Sequence, residues 1–106
     1  MSGGFIARPE VSPVAIASGG RVEVTLHYKY QRDRPDEPDP EVQVACSQTF
    51  EIACDPARAT LPPADNGTRR IAIAIKRTAS QDSPDECTLR FTALDDEREI
   101  AVEVKR

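Results

Sequence analysis

Apolar and polar residues alternate along residues 21–30 of this 106-residue chain. A β-strand points successive side chains to opposite faces, whereas a helix would scatter the same residues around its circumference. The alternation therefore predicts a strand with one buried face and one solvent-facing side. The buried face would hold Val22, Val24, Leu26, Tyr28 and Tyr30.

The same period-two pattern predicts five further strands, in several of which alanine occupies part of the second face. They span residues 42–46, 50–54, 71–75, 87–93 and 100–104. We also predict short strands at 5–7, 14–16 and 59–61. Prolines interrupt the first two of these pieces, which favours a sheet edge because proline cannot donate to a hydrogen-bond ladder.

Turn-forming residues separate the predicted strands. Ser18-Gly19-Gly20 precedes the long strand and Asp65-Asn66-Gly67 precedes the isoleucine-rich strand; glycine and asparagine adopt positive φ at little cost. The polar stretch 94–99 fits a hairpin connection between the last two strands. No segment shows a 3.6-residue apolar stripe, so the sequence predicts one all-β domain over residues 1–106.

The order of these features resembles a bacterial immunoglobulin-like domain, of the kind found as repeats in surface proteins. A broken first strand ends at 18–20, Leu61-Pro62-Pro63 leads to the strand at 71–75, and a hairpin closes the chain. The resemblance implies an immunoglobulin-like Greek-key sandwich of about seven or eight antiparallel strands. It departs from antibody domains, because tryptophan is absent and no cysteine in 21–30 can pair with Cys87.

The net charge of −4 gives no electrostatic reason to expect a nucleic-acid partner. No apolar run approaches the roughly 20 residues of a membrane span, so membrane insertion is not expected. The start of the sequence lacks the features of a secretory signal. We therefore expect a cytoplasmic location if the chain is complete, and an extracellular or periplasmic one if it is an excised domain.

Three cysteines, an odd number, favour free thiols in a reducing compartment. All of them fall on predicted inward faces, where cysteine acts as a small apolar residue. A Cys46–Cys54 or Cys54–Cys87 bridge is the alternative, and a zinc site using the cysteines with His27 ranks third. His27 lies on the polar side of its strand with no local partner, so we expect an exposed histidine.

Two polar loops, 31–41 and 78–86, are the predicted protein-contact surfaces because of their length and polarity. The carboxylates of loop 31–41 could supply oxygen ligands to calcium. This loop lacks the glycine and final glutamate of an EF-hand, which favours a solvated loop. Strand addition at the edge 5–16 is the alternative contact site. The predicted contact residues are Arg32, Asp33, Arg34, Asp36, Glu37, Asp39, Glu41, Gln81, Asp82, Asp85 and Glu86.

The sequence as a whole predicts a non-catalytic protein-interaction or structural module without a cofactor, whose partner is another protein. No catalytic triad or phosphate-binding loop is recognisable. One alternative is a small calcium- or zinc-binding domain or enzyme. Another is one repeat of a longer bacterial surface protein or adhesin.

Overall fold

The computed structural model of the chain describes residues 3–47, 49–78 and 85–105, and these residues form nine strands. None of the described residues belongs to a helix long and apolar enough to cross a membrane. The strands are β1 (Gly3–Ile6), β2 (Glu10–Ser12), β3 (Ala15–Ala17), β4 (Arg21–Gln31), β5 (Gln43–Ala45), β6 (Phe50–Asp55), β7 (Ala64–Arg77), β8 (Glu86–Ala93) and β9 (Asp96–Lys105).

The strands form two sheets, which confirms the predicted all-β sandwich architecture. Sheet A has the order β1-β4-β7-β6, and β2 pairs with β4 further along the same strand. Sheet B has the order β3-β9-β8-β5. The chain passes from sheet A to sheet B after β2, β4 and β7, and it returns after β3 and β5. Most neighbouring strands in each sheet are therefore distant in sequence.

The core lies between the sheets, on the apolar faces that the alternation predicts. Along β4 every second residue from Val22 to Tyr30 is buried, and on β7 the same holds from Ile71 to Ile75. Sheet B contributes Cys87, Leu89 and Phe91 from β8, together with residues of β9. The largest fully buried side chains are Phe91, Ile6, Leu26, Leu61, Ile71, Ile73, Ile75 and Leu89.

One pairing differs from the antiparallel arrangement that the sequence predicts. Strand β3 pairs in parallel with β9, with Ala15 opposite Glu103 and Ala17 opposite Lys105. The reason is the short break after β2: the chain leaves sheet A at Pro13 and joins sheet B while still running in the same direction. Two consecutive pieces of the N-terminal segment thus belong to different sheets.

The turn predicted at Asp65-Asn66-Gly67 is wrong, because these residues lie inside β7. Gly67 stands opposite Tyr28 on the inward side, where the absence of a side chain leaves room for the tyrosine ring. The hairpin connection predicted at 94–99 shortens to Leu94 and Asp95, since β9 already begins at Asp96. The piece predicted as a strand at 59–61 forms a single bridge, Thr60 with Glu41.

Candidate functional site

One end of the sandwich concentrates negative charge. We define the acidic end as residues 32–41, which connect β4 to β5, together with residues 94–98 around the β8–β9 turn. It contains eight carboxylates and three guanidinium groups, a formal charge of −5, whereas the whole chain has −4. The rest of the chain therefore has a formal charge of +1, so the net negative charge of the chain comes from the acidic end.

The loop of the acidic end is held by hydrogen bonds at several points. Within it, the Arg32 guanidinium pairs with Asp39 at 2.5 Å and donates to the Pro35 carbonyl at 3.0 Å. The Leu61 amide donates to the Pro40 carbonyl at 3.0 Å, which ties the end of the loop to the segment before β7. These contacts give a loop without apolar side chains, other than its prolines, a defined path across the end of the sandwich.

The turn between β8 and β9 is fixed just as closely. Leu94 and Asp95 both adopt positive φ, 54° and 63°, the conformation of a tight hairpin turn that right-handed strand twist favours. The Asp96 carboxylate accepts from the Ile6 amide at 3.1 Å, and the Arg98 Nε donates to the Ile6 carbonyl at 3.1 Å. The start of β9 is thereby joined to β1 in the other sheet.

A cavity of about 520 Å³ lies between the loop and the turn. Tyr30, Pro38 and Leu94 give it an apolar lining, and Glu37 and Asp95 add negative charge. This combination suits a group that is both cationic and partly apolar. Within the described residues, no group of three or more histidine, cysteine or acidic side chains is arranged to hold a metal ion.

The acidic end also shapes the environment of Tyr28. Its hydroxyl donates to the Pro62 carbonyl at 2.7 Å, and the residue is 5% exposed. Burial raises the pKa of Tyr28, the charge of Asp39 raises it further, and the charge of Arg69 lowers it. Tyr28 is therefore a neutral hydrogen-bond donor that joins β4 to the segment before β7.

The described residues of the two predicted contact loops lie at opposite ends of the sandwich. Residues 31–41 cover the acidic end, whereas Asp85 and Glu86 lie where β7 ends and β8 begins; Gln81 and Asp82 are outside the described residues. The structure therefore brings Arg32, Asp33, Arg34, Asp36, Glu37, Asp39 and Glu41 together, but separates them from Asp85 and Glu86. A role of either loop in binding a protein stays a prediction.

Asp85 has a structural contact that its sequence context does not reveal. Its carboxylate pairs with the Arg77 guanidinium at 2.8 Å, and Arg77 also donates to the Val104 carbonyl at 2.9 Å. Only 7% of the Arg77 side chain is exposed, and its guanidinium lies 5.7 Å from the centre of the Phe50 ring. This cluster joins the ends of both sheets at the pole opposite the acidic end.

His27 lies on the outer face of sheet A, as the alternation predicts. Its Nε2 lies 3.3 Å from the Glu10 carboxylate, and both side chains are largely exposed. The sequence did not reveal this partner, because Glu10 belongs to β2 and reaches β4 only through the sheet register. The thiols face the interior, on the other side of sheet A from His27, so the structure does not bring His27 to the cysteines for the zinc site that is the third alternative.

The three cysteines are free and lie near one another between the sheets. Cys87 is fully buried, whereas Cys46 and Cys54 are half-buried. Burial raises the pKa of all three thiols, that of Cys87 to about 12. At neutral pH they are protonated, and a protonated thiol is a poor nucleophile.

Two large apolar side chains of the described residues are exposed, and both lie on the predicted edge 5–16. Phe5, on β1, is 50% exposed and Val14, just before β3, is 65% exposed. Both β1 and β3 are outermost strands of their sheets. Strand addition at this edge stays a prediction.

Comparison with known proteins gives a likeness in structure alone. No protein-family model matches the chain, and no curated protein matches it in sequence. The crystal structure of domains 4 and 5 of the S-layer protein SbsC is similar, with a TM-score of 0.56 and 13% sequence identity. The match covers 97% of this chain and 54% of that two-domain chain, so this chain spans about half its length.

Proposed function

We propose that the chain is a non-catalytic structural module of a bacterial surface protein, with an immunoglobulin-like fold that acts as a spacer. The observation that carries the proposal is the position of the first and last described residues, Gly3 and Lys105. They lie at opposite poles of a molecule that measures 50 × 21 × 19 Å. A domain entered at one pole and left at the other adds its full length to the protein that contains it.

The placement of the ends follows from the strand register. Gly3 pairs with Gln31, at the acidic end of β4. Arg77 is at the end of β7 that lies beside the start of β4, and it donates to the Val104 carbonyl near the end of β9. The first described residues are thus at the acidic end and the last are at the other pole, with the whole of β4 between them.

The strand order supports the immunoglobulin-like part of the proposal. If β1 and β2 count as one broken strand A, then β4 to β9 take the letters B to G. Sheet A then has the order A-B-E-D, and sheet B has the strands G, F and C beside β3. This is the partition of constant-type immunoglobulin domains. Antibody domains have an inter-sheet disulfide, whereas the core of this domain is made of apolar side chains and free thiols.

The likeness to SbsC supports a surface location, because that protein is an S-layer protein. A structural role also agrees with the arrangement of the described residues that could take part in catalysis. His27 and the thiols lie on different sides of sheet A, and the thiols are protonated at neutral pH. The acidic end remains available for contacts with neighbouring domains or proteins.

A protein of three copies joined by short proline-containing linkers tests the spacer role. Small-angle X-ray scattering should give a maximum dimension of roughly 150 Å, three times the 50 Å long axis of one copy. A single copy and a version with long Gly-Ser linkers serve as controls. Copies that pack side by side, with a maximum dimension below roughly 100 Å, would show that the domain is not a spacer.

A further inference from the structure

Cys46 and Cys87 form the third possible cysteine pair, beside the two pairs that the sequence suggests. The strand register brings these two residues close together. Val44 is opposite Phe91 and Ala45 is opposite Arg90, where the ladder between β5 and β8 ends. One step further, Cys46 comes level with Leu89, and Cys87 is its diagonal neighbour on the same inward face. Diagonal neighbours on one face of a sheet are close enough for side-chain contact.

The two thiols interact, and this interaction raises the pKa of Cys87 beyond the larger effect of burial. The Cys46 thiol also donates to the Phe50 carbonyl at 3.3 Å. Cys54, on β6 in the other sheet, interacts with Cys46 only through the electrostatic field. Of the two other cysteines, Cys87 is therefore the one that lies in the same sheet as the end of β5.

We propose that Cys46 and Cys87 form a modification site, in which a small-molecule disulfide converts the pair into an intrachain disulfide. The bond would join β8 to the end of β5. Unlike the antibody bridge, it would lie within one sheet. Cys46 comes after the last ladder pair, so its backbone can move toward Cys87 without breaking a ladder hydrogen bond.

Cys46 is the entry point for the oxidant, because it is half-buried and lines a surface crevice of about 160 Å³ with Ser47 and Arg90. Its thiolate attacks one sulfur of the oxidant and releases the first thiolate, which leaves a mixed disulfide on Cys46. The Cys87 thiolate then attacks the Cys46 sulfur and releases the second. Two protein thiols are oxidised, one disulfide is reduced to two thiols, and the protons of the cysteines end on those products.

The oxidation should be slow at neutral pH and faster at alkaline pH. Burial raises the pKa of both thiols and keeps the thiolate fraction small. Below the pKa of the attacking thiol, the rate should rise about tenfold for each pH unit, because only the thiolate attacks. A pair that resists adventitious oxidation inside a cell would thus be converted during long exposure to an oxidising exterior.

Incubation of the folded chain with oxidised glutathione at alkaline pH, followed by mass spectrometry, tests the proposal. The expected result is a loss of roughly 2 Da that dithiothreitol reverses. Cleavage after glutamate separates the cysteines into residues 42–51, 52–86 and 87–97. A disulfide that links 42–51 to 87–97 supports the proposal; any other dominant linkage, or no mass loss, overturns it.

Two matched variants keep the test decisive, since both remove a half-buried cysteine and leave Cys87 in the core. Cys54→Ala should still lose the two hydrogens, whereas Cys46→Ala should not. An oxidised Cys46→Ala chain, bridged between Cys54 and Cys87, would contradict the proposal. The result bears on the thiol pair alone, because the spacer geometry is the same with or without the bond.

Discussion

Phe91→Ala is expected to destabilise the domain by about 3–5 kcal/mol, the usual cost of deleting a large buried aromatic side chain. Phe91 is 0% exposed and lies on β8 between Val44 of β5 and Arg98 of β9, on the face that meets sheet A. Its removal loses transfer free energy and leaves a cavity that flanking strands cannot fill without breaking the ladder. A domain of this size has about 5–15 kcal/mol in total, so a large share would be lost.

Phe5→Ala is the matched control, because the same atoms are removed from a side chain that is 50% exposed on an edge strand. Its cost should be within about 1 kcal/mol. Urea unfolding followed by circular dichroism gives both values, provided that the m-value is unchanged. A difference of less than about 1 kcal/mol between the two variants would mean that Phe91 is not in the core.

Gly67→Val is expected to destabilise the domain by about 3 kcal/mol, and Gly67→Ala by about 1–3 kcal/mol, because extra atoms would overpack the interior. A Cβ on Gly67 would lie 2.8 Å from Cε2 of the Tyr28 ring, and closer still to two other ring atoms. The ring cannot move aside freely, since its hydroxyl is bonded to the Pro62 carbonyl. Strand propensity alone makes the opposite prediction, since valine is favoured over glycine in strands.

A double-mutant cycle isolates the clash. In a Tyr28→Leu background, the ring is absent and Gly67→Ala should cost little or even stabilise the strand. The free energies of unfolding of the four proteins give the coupling between the two positions. An equal cost of Gly67→Ala in both backgrounds would show that the tyrosine ring does not occupy the space above Gly67.

The parts of the fold that the sequence predicts are those whose residues have a clear two-residue period. The buried sides of β4, β7 and β8 follow from valine, isoleucine, leucine and aromatic residues at every second position. The strand β2 (Glu10–Ser12) was not predicted, because three residues between prolines give no period to detect. Asn66 and Gly67 suggested a turn by composition, whereas their role in β7 depends on the distant Tyr28.

The other features that the sequence does not predict depend on contacts between strands that are distant along the chain. The parallel pairing of β3 with β9 joins residues almost ninety positions apart, and no local pattern records it. The pair of Glu10 with His27, and the interaction of Cys46 with Cys87, depend on register in the same way. The acidic end depends on such contacts too, because residues 32–41 and 94–98 form one surface only in the folded chain.

Stretching a single domain by its two ends tests the spacer account most directly. Strand β9 and the N-terminal strands run along the long axis, and β3 pairs with β9 in parallel. Force applied at the ends therefore loads their hydrogen bonds together, in shear. As a comparison, handles can be placed at Thr88 and Ala101, which face each other on β8 and β9. Pulling on them would separate β8 from β9 one hydrogen bond at a time. We predict that unfolding from the ends requires a several-fold higher force; equal forces in the two geometries would contradict the account.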